Sequence, residues 1–365
     1  MSRLTAKPQD MFKYKIHQVD GLYFELLETP KKRAYKVQIL DGKNLLYETT
    51  LSSNMWAKYD RKYLCDFWVK IYDGDILVYD ISFLKELKNK RVFISYESSS
   101  LGDGLAWIPY CQEFQKKYGC EVVVSTFHNF MYEKAYPELK FVPRGARVDN
   151  LVAMYTLGWF YDKKKEPVHP ATIPLQKAAS NILNLEFSEI KPDVVFTPDE
   201  KPLKYKYVTI STRSTAQCKH WYYWQELVDM LRDAGYYVVE LSKEYDKLEG
   251  VIYPAEKDLQ TVMNYLHHSE FYIGLSSGIS WLSWAIGKKV YMISNFTESD
   301  HEFQSNCVRI NNTKVCNSCW NNPLFKFNKG DWWWCPEHED TDRHFECHKS
   351  ITAGDVFSHL FPAQS

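Results

Sequence analysis

Along the first quarter of the chain, β-branched or aromatic residues alternate with polar ones in short runs, a period that predicts strands. Residues 23–27, 35–40, 44–50 and 67–72 are four such runs, and Asp20-Gly21, Asp41-Gly42 and Asp73-Gly74 supply turns between them. They predict a small β-rich unit over 1–87, a sandwich or half-barrel. It has no clustered polar chemistry, so docking or oligomer contacts suit it best. From Lys88 the pattern changes. A buried-type strand at 91–96 leads through a Ser/Gly loop at 97–104 to a helix from about Leu105 to Tyr118, and then to a strand at 121–125. Strand, loop, helix, strand is the seed of a parallel sheet.

Further strands are expected at 140–142 and 151–155, and a helix at 174–185 with Pro174 in its first turn, where a missing N–H costs nothing. A linker at 191–204 holds Pro192, Pro198 and Pro202. Beyond it the series resumes: strand 207–211, helix 221–234 ended by Gly235, strand 237–241, helix 259–268, strand 270–273, a Gly/Ser loop, a helix to Ile286 and strand 289–294. The pattern therefore predicts an α/β chain with two Rossmann-like halves, 88–195 and 196–365, behind the β-rich start. In such folds ligands bind in the crevice beyond the carboxyl ends of the strands.

The length of 365 residues fits two to three domains, and 45% hydrophobic with 25% charged residues excludes disorder as the main state. Lys and Arg number 45 against 46 Asp and Glu, a formal net charge of -1, which argues against a general nucleic-acid binder. Residues 1–15 lack the apolar core of a secretory leader, and the stretch 272–286 is broken by Ser276, Ser277, Ser280 and Ser283. No membrane insertion is expected, and the cytoplasm is the predicted compartment. Nine cysteines gain meaning there, because reduced thiols at regular spacing more often bind metal than pair.

Cys316-x2-Cys319-x15-Cys335-x11-Cys347 is the strongest motif. Two sulfurs three positions apart converge on one tetrahedral centre, and four thiolates select zinc or iron over magnesium or calcium. A closed four-sulfur shell makes the metal structural, one per chain, in an insert at about 307–350. The segment is poor in aliphatics but holds Trp320, Trp332, Trp333 and Trp334, so a metal would help to order it. His338, His344 and His348 lie among the cysteines and can each replace one sulfur. Cys65, Cys111, Cys120, Cys218 and Cys307 lack partners at ligand spacing and read as ordinary thiols.

Three loops carry the other candidate chemistry. Ser100, Gly102, Asp103 and Gly104 lie at the first strand-to-helix turn, without the Gly-x-Gly-x-x-Gly spacing of a dinucleotide site. An Asp between two glycines can take a proton from an attacking hydroxyl, and it can equally cap a helix. In the second half Thr212 and Lys219 sit in a hydroxyl-rich loop after a strand, and Ser276, Ser277, Gly278 and Ile279 form another. Two anion-ready loops suit a diphosphate. The Walker spacing is absent, and a solvated polar loop is the alternative reading. Glu244, just past a strand, is placed to accept from a ribose hydroxyl.

With Ser100-Leu101-Gly102-Asp103, Ser277-Gly278-Ile279-Ser280 and the four-cysteine insert, the chain resembles two-Rossmann (GT-B) glycosyltransferases, similar to the heptosyltransferases of lipopolysaccharide-core assembly. It more closely resembles the autotransporter O-heptosyltransferases, over nearly its whole length, β-rich start included. The resemblance implies an ADP-heptose donor, a Ser or Thr hydroxyl of an autotransporter passenger as acceptor, and inversion at the sugar carbon. By motif, Asp103 would be the general base, and Lys219 with the backbone of 276–279 would hold the diphosphate. No catalytic metal is implied. The resemblance favours iron over zinc in the cysteine site and a large, ring-like homo-oligomer. One departure stands out: the core heptosyltransferases carry an acidic residue and a His around the donor loop, where this chain has Ser276 and Trp281. That leaves a different nucleotide sugar open. A non-enzymatic, metal-containing binding or assembly module is the competing class, and a dehydrogenase is disfavoured by the missing fingerprint.

Overall fold

The structure, a computed structural model, describes residues 12–362 except 167, 245 and 328–332. The first part runs β1 (Lys13–Gln18), β2 (Leu22–Glu28), β3 (Tyr35–Asp41), β4 (Asn44–Leu51), β5 (Met55–Tyr59), β6 (Phe67–Asp73), β7 (Ile76–Ser82) and the single turn α1 (Phe83–Glu86). Then follow β8 (Arg91–Tyr96), α2 (Leu101–Tyr118), β9 (Glu121–Ser125), β10 (Lys140–Phe141), β11 (Leu151–Leu157) and α3 (Leu175–Ile182). The second half comprises β12 (Tyr207–Ser211), α4 (Trp224–Asp233), β13 (Tyr237–Glu240), β14 (Val251–Ile252), α5 (Leu259–His268), β15 (Tyr272–Leu275), α6 (Gly278–Ala285), β16 (Val290–Ile293) and β17 (Cys307–Ile310). Two short helices close the chain, α7 (Glu346–Lys349) and α8 (Ala353–Leu360).

The two expected Rossmann-like sheets are present. In the second half the order is β14-β13-β12-β15-β16-β17, every pair parallel. All residues of β12 and β15 are buried, which is why they read as nearly unbroken apolar runs. In the first half β10-β9-β8-β11 are parallel, but this sheet does not stop there. It continues through β1, β2 and β5, to seven strands. The β-rich start is thus divided: β4-β3-β6-β7 form an antiparallel sheet of their own, while β1, β2 and β5 extend the first Rossmann sheet. The join is sealed by a buried polar side chain. Gln18 donates to the carbonyls of Arg61 and Tyr63 and accepts from the Tyr155 hydroxyl of β11 at 2.9 Å. Alternation alone identifies a strand without naming its sheet, so this partition was not readable from pattern.

A second difference lies at the first glycine loop. The helix begins at Leu101, not Leu105, so Gly102, Asp103 and Gly104 form its first turn. Among the described residues no helix is long and apolar enough to cross a membrane.

Candidate active site

The amino ends of α2 and α6, one from each half, meet at the cleft. Two glycines allow this. A Cβ on Gly278 would lie 2.9 Å from Leu101 Cβ, and one on Gly102 would lie 3.2 Å from Trp281 Cδ1. Glycine stands here for close approach between helices, since neither residue has a positive φ.

Ser100 is the N-cap of α2, its Oγ accepting from the Asp103 N–H at 3.5 Å. Capping thus uses the backbone of Asp103 and leaves its carboxylate for the cavity. There Oδ2 accepts from Trp159 Nε1 at 3.0 Å. The residue is 9% exposed. Burial raises its pKa, and hydrogen bonds from Ser98 and Trp159 together with the Lys219 charge pull it back.

Across the cleft, Lys219 lies in a single 3-10 turn, because α4 begins only at Trp224. Its Nζ donates to the Ser276 carbonyl at 3.2 Å and Ser276 Oγ at 3.5 Å, and sits 5.3 Å from the Phe296 ring centre. Asp103 and Lys219 line one cavity of about 310 Å³, with Ser100, Gly102, Ser276, Ser277 and Gly278. Four other expected residues stay out of its lining. Thr212 is buried and donates to Glu240 Oε1 at 3.2 Å. Gly104 faces the Tyr132 hydroxyl, Ile279 packs on the core, and Glu244 is exposed at the surface. The cavity instead takes Thr215 and Ala216 from the first donor loop.

Residues the sequence did not single out also line the walls, among them Trp159, Phe296, His301 and Glu302, and Trp320 of the cysteine insert joins them. Glu302 accepts from the Ser276 hydroxyl, and His301 lines the cavity together with Trp281. His301 reaches the first half through its carbonyl, which accepts from Leu175 N at 2.8 Å. Burial would push the Glu302 carboxyl up, but Arg309, His301 and the Ser276 hydroxyl outweigh it and hold it down at about 2. A polar turn rich in Glu, Ser and Asp before a strand reads as solvated surface, so no local signal marked it.

The four expected metal cysteines, 316, 319, 335 and 347, line one pocket of about 20 Å³. Cys218, read above as an ordinary thiol, lies in the same wall, one residue before Lys219. Cys316, His338 and Glu346 have ligand atoms within 4.8 Å of one another, a mixed grouping in which His338 was an expected substitute ligand and Glu346 was not. Burial pushes the Cys319 thiol up to about 11 and the Cys347 thiol up to about 12. A cation among these groups would supply the missing charge and ionise them, so the donor set fits a soft metal. Trp332 lies outside the described residues. Trp320, next to Cys319, reaches the cavity, where its ring meets Trp159 edge-on at 5.2 Å.

Two facing Rossmann-like halves, with an acid on one side of the cleft and a lysine with a Ser/Gly helix start on the other, define a GT-B-type glycosyltransferase. The sequence model of Glycosyltransferase family 9 (heptosyltransferase) matches residues 104–331. The chain is 32% identical to the autotransporter heptosyltransferase Aah of Escherichia coli over 89% of its own length and 88% of that protein. It belongs to glycosyltransferase family 9, among the autotransporter heptosyltransferases. The crystal structure of the iron-containing dodecameric glycosyltransferase TibC from enterotoxigenic E. coli is similar at TM-score 0.83 and 28% identity, covering 95% of this chain and 94% of TibC. TibC has also been crystallised with ADP-D-beta-D-heptose. The inactive autotransporter heptosyltransferase BimC of Burkholderia thailandensis is 30% identical over 81% of this chain and 74% of its own.

Proposed function

We propose that the chain transfers heptose from ADP-heptose to a Ser or Thr hydroxyl of an autotransporter passenger, with inversion. The observation that carries this reading is the placement of Asp103 and Lys219 on opposite walls of one cavity. The acceptor O–H gives its proton to the Asp103 carboxylate as the oxygen bonds to the anomeric carbon. The bond from that carbon to the diphosphate breaks, and ADP leaves with the electron pair. Lys219 and the N–H groups opening α6 stabilise the charge that develops on the diphosphate. Trp159 and burial keep the base dry and oriented, and a raised carboxyl pKa makes it a better proton acceptor.

Cys316, Cys319, Cys335 and Cys347 are proposed to hold one structural metal, iron by similarity to TibC, with His338 and Glu346 close enough to substitute for a sulfur. Bound there, a metal would supply a fixed, charged crosslink in the insert. A homo-oligomer is proposed by the same similarity, TibC being dodecameric.

Intact-mass analysis of a co-expressed passenger tests the reading, with Asp103→Asn as the comparison. The expected result is an increment of heptosyl residues with the native chain and none with the variant, which still binds ADP. An unmodified passenger beside the native chain, as BimC's inactivity makes worth checking, would favour the assembly-module class. An increment of another sugar would redirect the donor assignment.

A further inference from the structure

Behind Lys219 lies a buried ion pair to which the transfer chemistry gives no role. Glu302 is 4% exposed, and its carboxylate contacts the Arg309 guanidinium and the Ser276 hydroxyl. Thr297 Oγ1 reaches both of its oxygens at 3.1 Å. Ser276 in turn presents its carbonyl and Oγ to Lys219 Nζ. The direction of these bonds follows from elementary chemistry. An ionised carboxylate only accepts, and an ammonium only donates. The Ser276 proton must therefore go to Glu302, which leaves the lone pairs of Oγ for the lysine. Arg309, Glu302, Ser276 and Lys219 form one relay of alternating charge and dipole, ending at the cavity wall. A pair that served only to tie β17 to the 297–302 turn would be complete with Arg309 donating to the Thr297 carbonyl at 3.0 Å. It would not need the hydroxyl of a donor-loop serine.

We propose that Glu302 is a positioning residue for donor binding: by taking the Ser276 hydroxyl proton, it leaves the Ser276 oxygens to hold the Lys219 ammonium where it meets a nucleoside diphosphate. The proposal rests on the reading of Lys219 as the diphosphate ligand. It is tested on the full chain by calorimetry with ADP and, as a phosphate-free probe, adenosine. Glu302→Gln and Ser276→Ala should each weaken ADP binding on the order of 10-fold, the range of one hydrogen bond to a charged group. Adenosine affinity should not change, Glu302→Asp should recover part of the loss, and neither change should cost anything further in a Lys219→Ala background. Ser276→Ala leaves the ion pair with Arg309 intact, so it carries the test if Glu302→Gln does not fold. Native ADP affinity in Ser276→Ala, equal losses for ADP and adenosine, or additivity with Lys219→Ala would each overturn the proposal. A native chain that does not bind ADP would overturn the transferase reading and this inference together. A native chain that binds ADP, with variants that bind it equally well, overturns only the inference.

Discussion

At the scale of single residues, neighbours shift the charge balance of Asp103 and hold Lys219 in place. Asp103 is held between burial, which favours its neutral form, and the Trp159 N–H, which favours its charge. If it is the base, transfer is present above its folded pKa, which burial raises from the ordinary aspartate value, and is lost as pH falls through it. Trp159→Phe removes a donor to the charged form and so moves this acidic limb to higher pH, lowering kcat more than donor KM. A pH profile of kcat/KM reads this directly, and an unmoved limb would separate Trp159 from the base. Lys219→Ala should cost ADP affinity on the order of 10- to 100-fold, because no other lysine or arginine among the described residues lines that cavity. Calorimetry measures it, and unchanged binding would place the diphosphate elsewhere. The cavity aspartate and lysine were both legible in sequence, since each sits just beyond a strand. Thr212 was not, because whether a loop hydroxyl faces the ligand or a buried Glu240 depends on the neighbouring strand.

Between elements, the decisive contact is the crossing of α2 and α6 at their first turns. Gly278→Ala would place a methyl 2.9 Å from Leu101 Cβ, against a rigid helix start, and should cost about 1–3 kcal/mol as overpacking. It should also open the cleft and lower activity. Gly354→Ala is the control. Gly354 lies inside α8 with nothing nearer to its Cβ than 3.7 Å, so the change should stabilise by about 0.5–1 kcal/mol. Urea unfolding compares the two, and equal signs would contradict this account of Gly278. The glycines were visible in the sequence and were read as loop residues beside a ligand. The structure makes two of them a helix-helix contact, a role that needs the partner helix to be known.

For the whole molecule, the cysteine insert and the cleft belong to one arrangement. Cys218 precedes Lys219 and shares the cysteine pocket, while Trp320 follows Cys319 and leans on Trp159, the partner of Asp103. The small aromatic core around Ala216, Phe296, Trp334 and Phe345 joins these parts. Removing the metal, or Cys335→Ser, should therefore lower metal content, melting temperature and ADP affinity together. Elemental analysis, calorimetry and tryptophan fluorescence follow the three effects. A metal-free chain that melts and binds ADP as the native one does would make the insert independent of the site.

The sequence by itself determined the parallel strands, whose central members are buried on both faces and so must be apolar throughout. It also determined the cysteine motif, because ligand spacing is a local property of the backbone, and the strand-end positions of Asp103 and Lys219. Only the tertiary structure decided the rest. It split the β-rich start between two sheets, since hydrogen bonds between distant strands leave no mark on either strand's alternation. It turned His301 and Glu302 inward, because a polar turn is marked as buried only by the Arg309 and Ser276 that satisfy it. It also set Cys218 and Trp320 as links between cysteine pocket and cleft, a proximity created by folding between positions about 100 to 160 residues apart in sequence.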